Sequence, residues 1–391
     1  MEYDMGHNSF FLFDLVVLLI VANAGGYLAK KINQPSILGQ IIAGVIIGPA
    51  ILGVVQNTEV VSSFAEVGVI LLMFIAGLET DIDDLKASGK ASLLIAVGGV
   101  IMPVILAVAT LNLVKPDATL CEKIFVGVIL TATSVSVTVQ VLRELKQLQS
   151  KVGVAILGAA IIDDVLGILM VTVVVGMVKP EANTGIFQTV IQIIGFFVFT
   201  ALVGIAFVRL MKKHHSRLSS GNRILSFALI FCFVLSVIAE KLGVSAVIGA
   251  YFTGIVFSST TYKNRVSKEV QKLGYALFIP IFFAHIGLSV RFSGVKEGVI
   301  LSVAMIVIAV ISKIIGCWIG AKACHFTARE SLQVGIGMIP RAEVALIVTN
   351  LGVKLGILGQ DILNASILVV LASTLITPVI LKASFKGVRT E

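Results

Sequence analysis

Thirteen apolar runs, separated by short charged or Pro/Gly-rich connectors, constrain this chain more than any other feature. They fall at about residues 9–29, 35–54, 62–79, 89–112, 122–143, 152–178, 186–211, 223–240, 243–258, 272–290, 297–321, 330–351 and 362–382. A helix needs about 20 apolar residues to cross a bilayer. In lipid every backbone polar group must be satisfied within the protein, so spans of this kind are helices. The chain is 57% hydrophobic and 13% charged, against roughly 25% charged in a soluble domain. The sequence therefore predicts an all-α polytopic membrane protein of about thirteen transmembrane helices.

The basic residues set an orientation. Lys30, Lys31, Lys86, Lys90, Arg143, Lys146, Lys151, Lys212, Lys213, Arg217, Arg223, Lys263, Arg265, Lys268, Lys272, Lys322, Arg329, Lys382, Lys386 and Arg389 fall at one set of helix ends. Only Lys115, Lys123, Lys179, Lys241, Arg291, Lys296 and Lys354 fall at the other. The positive-inside rule then predicts the N-terminus outside and the C-terminus in the cytoplasm of a bacterial cell membrane. The same rule accounts for the net charge of +8, so no nucleic-acid partner is expected. The four cysteines are scattered, without the spacing of a metal site or a disulfide framework. The acidic N-terminus lacks the basic start of a cleaved signal. No connector is long enough for a soluble domain, and none is expected after the last run.

Charge at membrane depth marks function. Asp163 and Asp164 stand side by side in the run 152–178, flanked by apolar residues on both sides. An ionised carboxylate there costs roughly 3 kcal/mol. The two are about 100° apart around a helix, so one can face a partner helix and the other a cavity. Lys313 is the one lysine in mid-span and needs a counter-ion, for which an aspartate of the pair is the natural candidate. Arg341 and Glu343 follow Pro340, which breaks the helical hydrogen-bond ladder of the run 330–351. The run 122–143 instead has a polar centre, with Thr131, Thr133, Ser134, Ser136, Thr138 and Gln140. Such hydroxyls serve either helix–helix hydrogen bonding or a second broken helix whose freed oxygens coordinate a small cation.

These two unusual runs are the fifth and the twelfth, so they traverse the membrane in opposite directions. That is the pattern of an inverted repeat, with two interrupted helices crossing near the midplane. Runs 4–6 and 11–13 would form the two repeat cores. Asp14 and Arg209 lie near helix ends and are read as interfacial. His285 is the one mid-helix histidine; it is read first as a packing residue and second as a pH-sensitive group.

Six segments together resemble the monovalent cation:proton antiporter-2 family: residues 33–49 (NQPSILGQIIAGVIIGP), 74–79 (FIAGLE), 131–138 (TATSVSVT), 160–167 (AIIDDVLG), 279–284 (IPIFFA) and 337–344 (GMIPRAEV). Within that family the chain is similar to NapA-type Na⁺/H⁺ antiporters and to spore-germination antiporters of bacilli. It departs from the potassium-efflux branch, which usually carries Gln-Asp where this chain has Asp163-Asp164.

The resemblance implies an antiporter fold with crossing broken helices and no cofactor beyond the transported ions. It implies that Asp164 carries the cation and the proton, that Asp163 pairs with Lys313, and that Thr133 and Ser134 lie at the fifth-helix break beside a Na⁺ site at Asp164. Glu343, with Arg341 and Pro340, would support the core at the other break. Glu66 matches a glutamate of the family's third helix and joins His285 as a candidate for pH sensitivity. The core would comprise helices at about 89–178 and 297–382, the dimerisation scaffold 9–79 and 223–290, and the linker 186–211. A homodimer is implied, with the core moving as an elevator. The expected function is exchange of Na⁺ or Li⁺ for H⁺ rather than enzyme catalysis, with K⁺/H⁺ exchange or K⁺ efflux as the alternative. A Na⁺-coupled carrier of organic anions is more remote, because two aspartates disfavour an anion. A channel is disfavoured because the polar groups cluster at one depth, and an intramembrane aspartyl protease because its aspartates would lie on different helices.

Overall fold

The computed structural model describes residues 10–178, 185–213, 221–290 and 298–386, and among these all regular structure is helical. The helices are α1 (Phe10–Lys31), α2 (Ser36–Ile47), α3 (Glu59–Glu79), α4 (Ile82–Ala87), α5 (Gly89–Val114), α6 (Leu120–Thr131), α7 (Val135–Glu144), α8 (Lys151–Val178), α9 (Ile186–Lys213), α10 (Gly221–Lys241), α11 (Ala246–Ser258), α12 (Lys263–Leu273), α13 (Ile279–Leu288), α14 (Val299–Ala323), α15 (Ala328–Gly337), α16 (Glu343–Lys354) and α17 (Gln360–Phe385). Ten segments are long and apolar enough to cross a membrane. Two shorter apolar helices, α2 and α11, and the broken pair α15–α16 complete thirteen crossings among the described residues. The acidic N-terminus and five charges counted in the orientation, Lys179, Arg217, Arg291, Lys296 and Arg389, lie outside the described residues.

The boundaries differ from the hydropathy reading in three places. The run 35–54 is helical only to Ile47, because Gly48-Pro49 turns the chain. The charged stretch 263–272, read as a connector, is the helix α12, which buries Val266 and Val270 at helical spacing and exposes Lys268 and Lys272. It runs through a π-helical turn, Gly274–Phe278, directly into α13. The short polar helix α4 was hidden in the connector before α5. Its start is capped by Asp81, whose carboxylate accepts from the Asp83 amide at 2.8 Å.

Helix packing falls into two groups. In one, α5 packs on α14, α8 and α6, while α14 also packs on α15 and α17. In the other, α3 packs on α11 and α13, α2 on α1 and α13, and α10 on α11. Helix α9 touches α8 of the first group and α10 and α11 of the second. Between helices in lipid, small residues allow close packing where hydrophobic driving force is absent. At the centre of the α5–α14 crossing Gly98 and Gly316 face each other so closely that a methyl on either would strike the other's carbonyl oxygen. Between α3 and α11, Gly77 and Gly254 also lie against each other, and a methyl on them would strike the carbonyl oxygens of Tyr251 and Phe74.

At one end of the first group a polar cluster ties the two repeats together. Lys115, in the α5–α6 connector, donates to Glu122 and to Asp361 at 2.7 Å each, joining the first turns of α6 and α17. Partial burial pulls the Lys115 ammonium down, but the two carboxylates outweigh it and leave its pKa raised.

Candidate functional site

The two broken helices cross where the sequence is most polar for its depth. Helix α6 stops at Thr131 and α7 starts at Val135; α15 stops at Gly337 and α16 starts at Glu343. Helix α15 has a well-defined start: Thr327 and Glu330 form a capping box, with the Thr327 amide donating to Glu330 at 2.8 Å and the Glu330 amide to Thr327 Oγ1 at 3.2 Å. Its end is set by Pro340, which has no amide hydrogen to continue the ladder.

A break in a helix frees amides and carbonyls that lipid cannot satisfy. Here the two breaks satisfy each other. The Ser134 amide donates to the Pro340 carbonyl at 2.6 Å, and Thr138 Oγ1 donates to the Gly337 carbonyl at 2.5 Å. Arg341 is wholly buried, and its guanidinium donates to three carbonyls: Ile339 at 2.6 Å, Leu130 at 2.6 Å and Ala309 at 2.9 Å. A cation beside the last carbonyls of α6 also complements that helix's C-terminal dipole. The Arg341 amide is held in turn by Ser373 Oγ on α17, at 3.1 Å.

The adjacent aspartates have separate surroundings. Asp163 is buried, with Oδ1 accepting from Lys313 Nζ at 2.8 Å across α8 and α14, and both side chains are essentially without exposure. Asp164 lines a cavity of about 690 Å³, whose wall also includes Asp163, Glu66, His285 and Glu343. Next to it a chamber of about 20 Å³ is lined by Asp164, Thr133, Ser134, Ser136 and Glu343, among others. A space of that size holds about one water-sized particle. Carboxylate and hydroxyl oxygens are the donors a hard cation prefers.

The structure thus brings Asp164, Thr133, Ser134 and Glu343 to one chamber, with Asp163, Lys313, Arg341 and Pro340 directly behind it. Glu66, on α3, and His285, in the last turn of α13, line the wider cavity away from the chamber. His285 Nε2 lies 2.9 Å from Asn57 Oδ1. Two features lay beyond sequence reasoning. Arg341 bonds to carbonyls and makes no hydrogen bond to Glu343, which turns into the chamber instead. At the far ends of α7 and α3, Arg143, Glu79, Gln140, Glu144, Gln271, Tyr275 and Ser36 form a hydrogen-bond network; in the sequence Arg143 counts only as a charge at a helix end, and nothing there pairs it with Glu79.

A pair of crossed, broken helices with a carboxylate in the gap, embedded in thirteen crossings, defines a secondary-transporter fold of inverted repeats. The sodium/hydrogen exchanger transmembrane family model matches residues 15–387. The chain is 37% identical over 378 residues to the Na⁺/H⁺-K⁺ antiporter GerN of Bacillus cereus, covering 96% of each protein. It is 36% identical to the Na⁺/H⁺ antiporter of Enterococcus hirae over 376 residues, covering 96% of this chain and 98% of that one. Its fold matches a structure of the sodium proton antiporter MjNhaP1 of Methanocaldococcus jannaschii with a TM-score of 0.76 at 16% identity, over 97% of this chain and 96% of that chain. The protein belongs to the sodium/hydrogen exchanger family.

Proposed function

We propose that the protein is a secondary antiporter that exchanges Na⁺ or Li⁺ for H⁺ across the bacterial cell membrane, with cation and proton competing for Asp164. The observation that carries this reading is the chamber itself: the Asp164 carboxylate, with Glu343 and the hydroxyls of Thr133, Ser134 and Ser136 on the same wall, in a space fit for a single small ion. A carboxylate that binds a proton or a cation, but not both, couples the two fluxes without further machinery. Asp163 and Lys313 would form a fixed background charge pair; if Lys313 gives up its proton when the cation binds, two protons move per cation and exchange is electrogenic. The site holds monovalent ions as cargo and needs no resident cofactor.

Alternating access would come from the two helix groups. The group built on α5, α6–α8 and α14–α17 would be the moving core, the group of α1–α3 and α10–α13 the scaffold and dimer surface, and α9 the linker. The large cavity reaches Ser62 and Glu66 near the start of α3, Ser245 before α11 and His285 near the end of α13. With the N-terminus outside, these positions face outward. The Arg143–Glu79 network closes the opposite end. This arrangement corresponds to an outward-facing state of a homodimeric elevator.

K⁺ is a second candidate cargo, favoured by the name of the GerN relative, a Na⁺/H⁺-K⁺ antiporter. The test uses proteoliposomes with a pH gradient and an internal pH dye. Added Na⁺, Li⁺ or K⁺ should dissipate the gradient in an order that ranks the ions, and Asp164→Asn should abolish the response. Exchange that persists in the variant would reassign the carrier residue, and the lack of any cation response in folded wild-type protein would overturn antiport.

A further inference from the structure

Away from the crossing, a second cavity of about 520 Å³ opens where α5 and α8 begin. Its wall includes Lys90 on α5, Lys151 on α8, and His325 in the α14–α15 connector. All three are exposed, and none has a carboxylate within ion-pair distance among the described residues. Asp84 is the one carboxylate on the wall. Like charges brought together in one recess repel, and an occupant of opposite sign removes that repulsion.

The cavity is also shaped by its backbone. Lys90 and Ala91 lie in the first turn of α5, and Lys151 and Val154 in the first turn of α8. Two helix N-termini therefore add their positive ends to the Lys90 and Lys151 ammonium groups, with the His325 imidazole beside them. His325 stands at φ 61°, a left-handed conformation unusual for a residue with a side chain, followed by the buried Phe326. Lys151 Nζ lies 4.1 Å from the centre of the Phe326 ring, which holds that ammonium at the cavity wall. Val154, Ala87, Ala91 and Ala323 give the cavity an apolar stretch, and Ser88 and Gln149 add polar groups to its wall.

We infer that this cavity binds a phosphate-bearing anion, its phosphate between Lys90, Lys151 and His325 and its carbon part on the apolar stretch. The phosphate could come from an anionic lipid headgroup or from a soluble phosphate ester. Neither the cavity nor its residues belong to the ion chamber, so the inference does not depend on the proposed exchange.

The experiment is binding by calorimetry to full-length protein in neutral detergent. The probes are short-chain phosphatidylglycerol, short-chain phosphatidylcholine, glycerol 3-phosphate and inorganic phosphate. Saturable binding of phosphatidylglycerol alone identifies a lipid headgroup; equal binding of glycerol 3-phosphate identifies a soluble ester. Lys90→Gln with Lys151→Gln should weaken the anion by at least about a hundredfold, since each charged hydrogen bond lost is worth roughly tenfold. His325→Asn, which tolerates the left-handed backbone, should weaken it less. The same ligand should protect Lys90 and Lys151 of the wild-type protein from acetylation, a readout that needs no variant. Binding that does not discriminate phosphatidylglycerol from phosphatidylcholine, or lysines acetylated equally with and without ligand, would overturn the inference.

Discussion

Arg143 on α7 holds Glu79 at the end of α3, with Nε 3.0 Å from Oε1 and 3.2 Å from Oε2. The contact joins the proposed core to the proposed scaffold at the end opposite the cavity mouth. Gln271 on α12 donates to the same Glu79 carboxylate at 3.0 Å, and the Tyr275 ring lies 4.6 Å from the Arg143 guanidinium carbon. The Tyr275 hydroxyl continues the network to Gln140 at 2.7 Å, Gln140 donates to Glu144 at 2.9 Å, and Glu144 accepts from the backbone and side chain of Ser36 on α2.

A latch of this kind sets the balance between two states. Its central ion pair is partly exposed, so its worth is about 1 kcal/mol, or a roughly fivefold shift in population. Arg143→Gln and Glu79→Gln should each raise the reactivity of a cysteine placed in the network's interface, such as Tyr275→Cys, toward a water-soluble maleimide on the α12 side. A charge swap, Arg143→Glu with Glu79→Arg, should restore part of the protection. Unchanged labelling in all three would remove the latch from the mechanism.

The buried pair Asp163–Lys313 gives a sharper energetic prediction. Removing one partner strands the other charge in the core and costs about 3–5 kcal/mol, whereas replacing both with neutral groups costs far less. Lys313→Gln alone should therefore lower the melting temperature markedly, and Asp163→Asn with Lys313→Gln should recover most of it. Voltage-dependent uptake into the same liposomes then separates the roles: if the Lys313 proton contributes to transport, the stable double variant loses its dependence on membrane potential while still exchanging ions.

Arg341 should resist conservative replacement. Lysine keeps the charge but presents a single ammonium where the guanidinium fork reaches the carbonyls of Ile339, Leu130 and Ala309. At least one buried carbonyl is then left unpaired, at about 1–3 kcal/mol each. Arg341→Lys is expected to broaden the size-exclusion peak and lower thermal stability. Equal stability would mean that water replaces the lost bonds.

Hydropathy made the thirteen crossings legible because lipid leaves the backbone so few options. Pro340 and the hydroxyls between Thr131 and Thr138 marked both breaks for local reasons: a missing amide hydrogen and oxygens too numerous for lipid. The adjacency of Asp163 and Asp164 foretold two surroundings through the angular step of a helix. Helix α12 escaped notice because averaging over its lysines hides the Val266–Val270 spacing that buries one face. The carbonyl partners of Arg341 escaped because backbone acceptors leave no trace in residue identity. The Arg143–Glu79 pair escaped for a different reason: its members are 64 positions apart and sit at helix ends, where an isolated charge looks like any solvated one.

The final prediction concerns how closely α5 and α14 must approach to place Lys313 against Asp163. Gly98 and Gly316 meet backbone to backbone, so an added methyl on either has no flexible side chain to push aside. Overpacking of this kind costs about 1–3 kcal/mol and shifts the helices. Because Lys313 lies one turn from Gly316, the shift is transmitted to the ion pair and hence to the chamber. Gly98→Ala and Gly316→Ala should each lower stability and weaken Na⁺-dependent exchange together. Gly195→Ala on α9 is the matched control: its added methyl meets nothing within 4 Å, and removing a helical glycine should be neutral or stabilising by up to about 1 kcal/mol. Melting curves and Na⁺ titrations of the three variants check both halves; a Gly316→Ala protein with wild-type behaviour would show that the crossing can slide without disturbing the site.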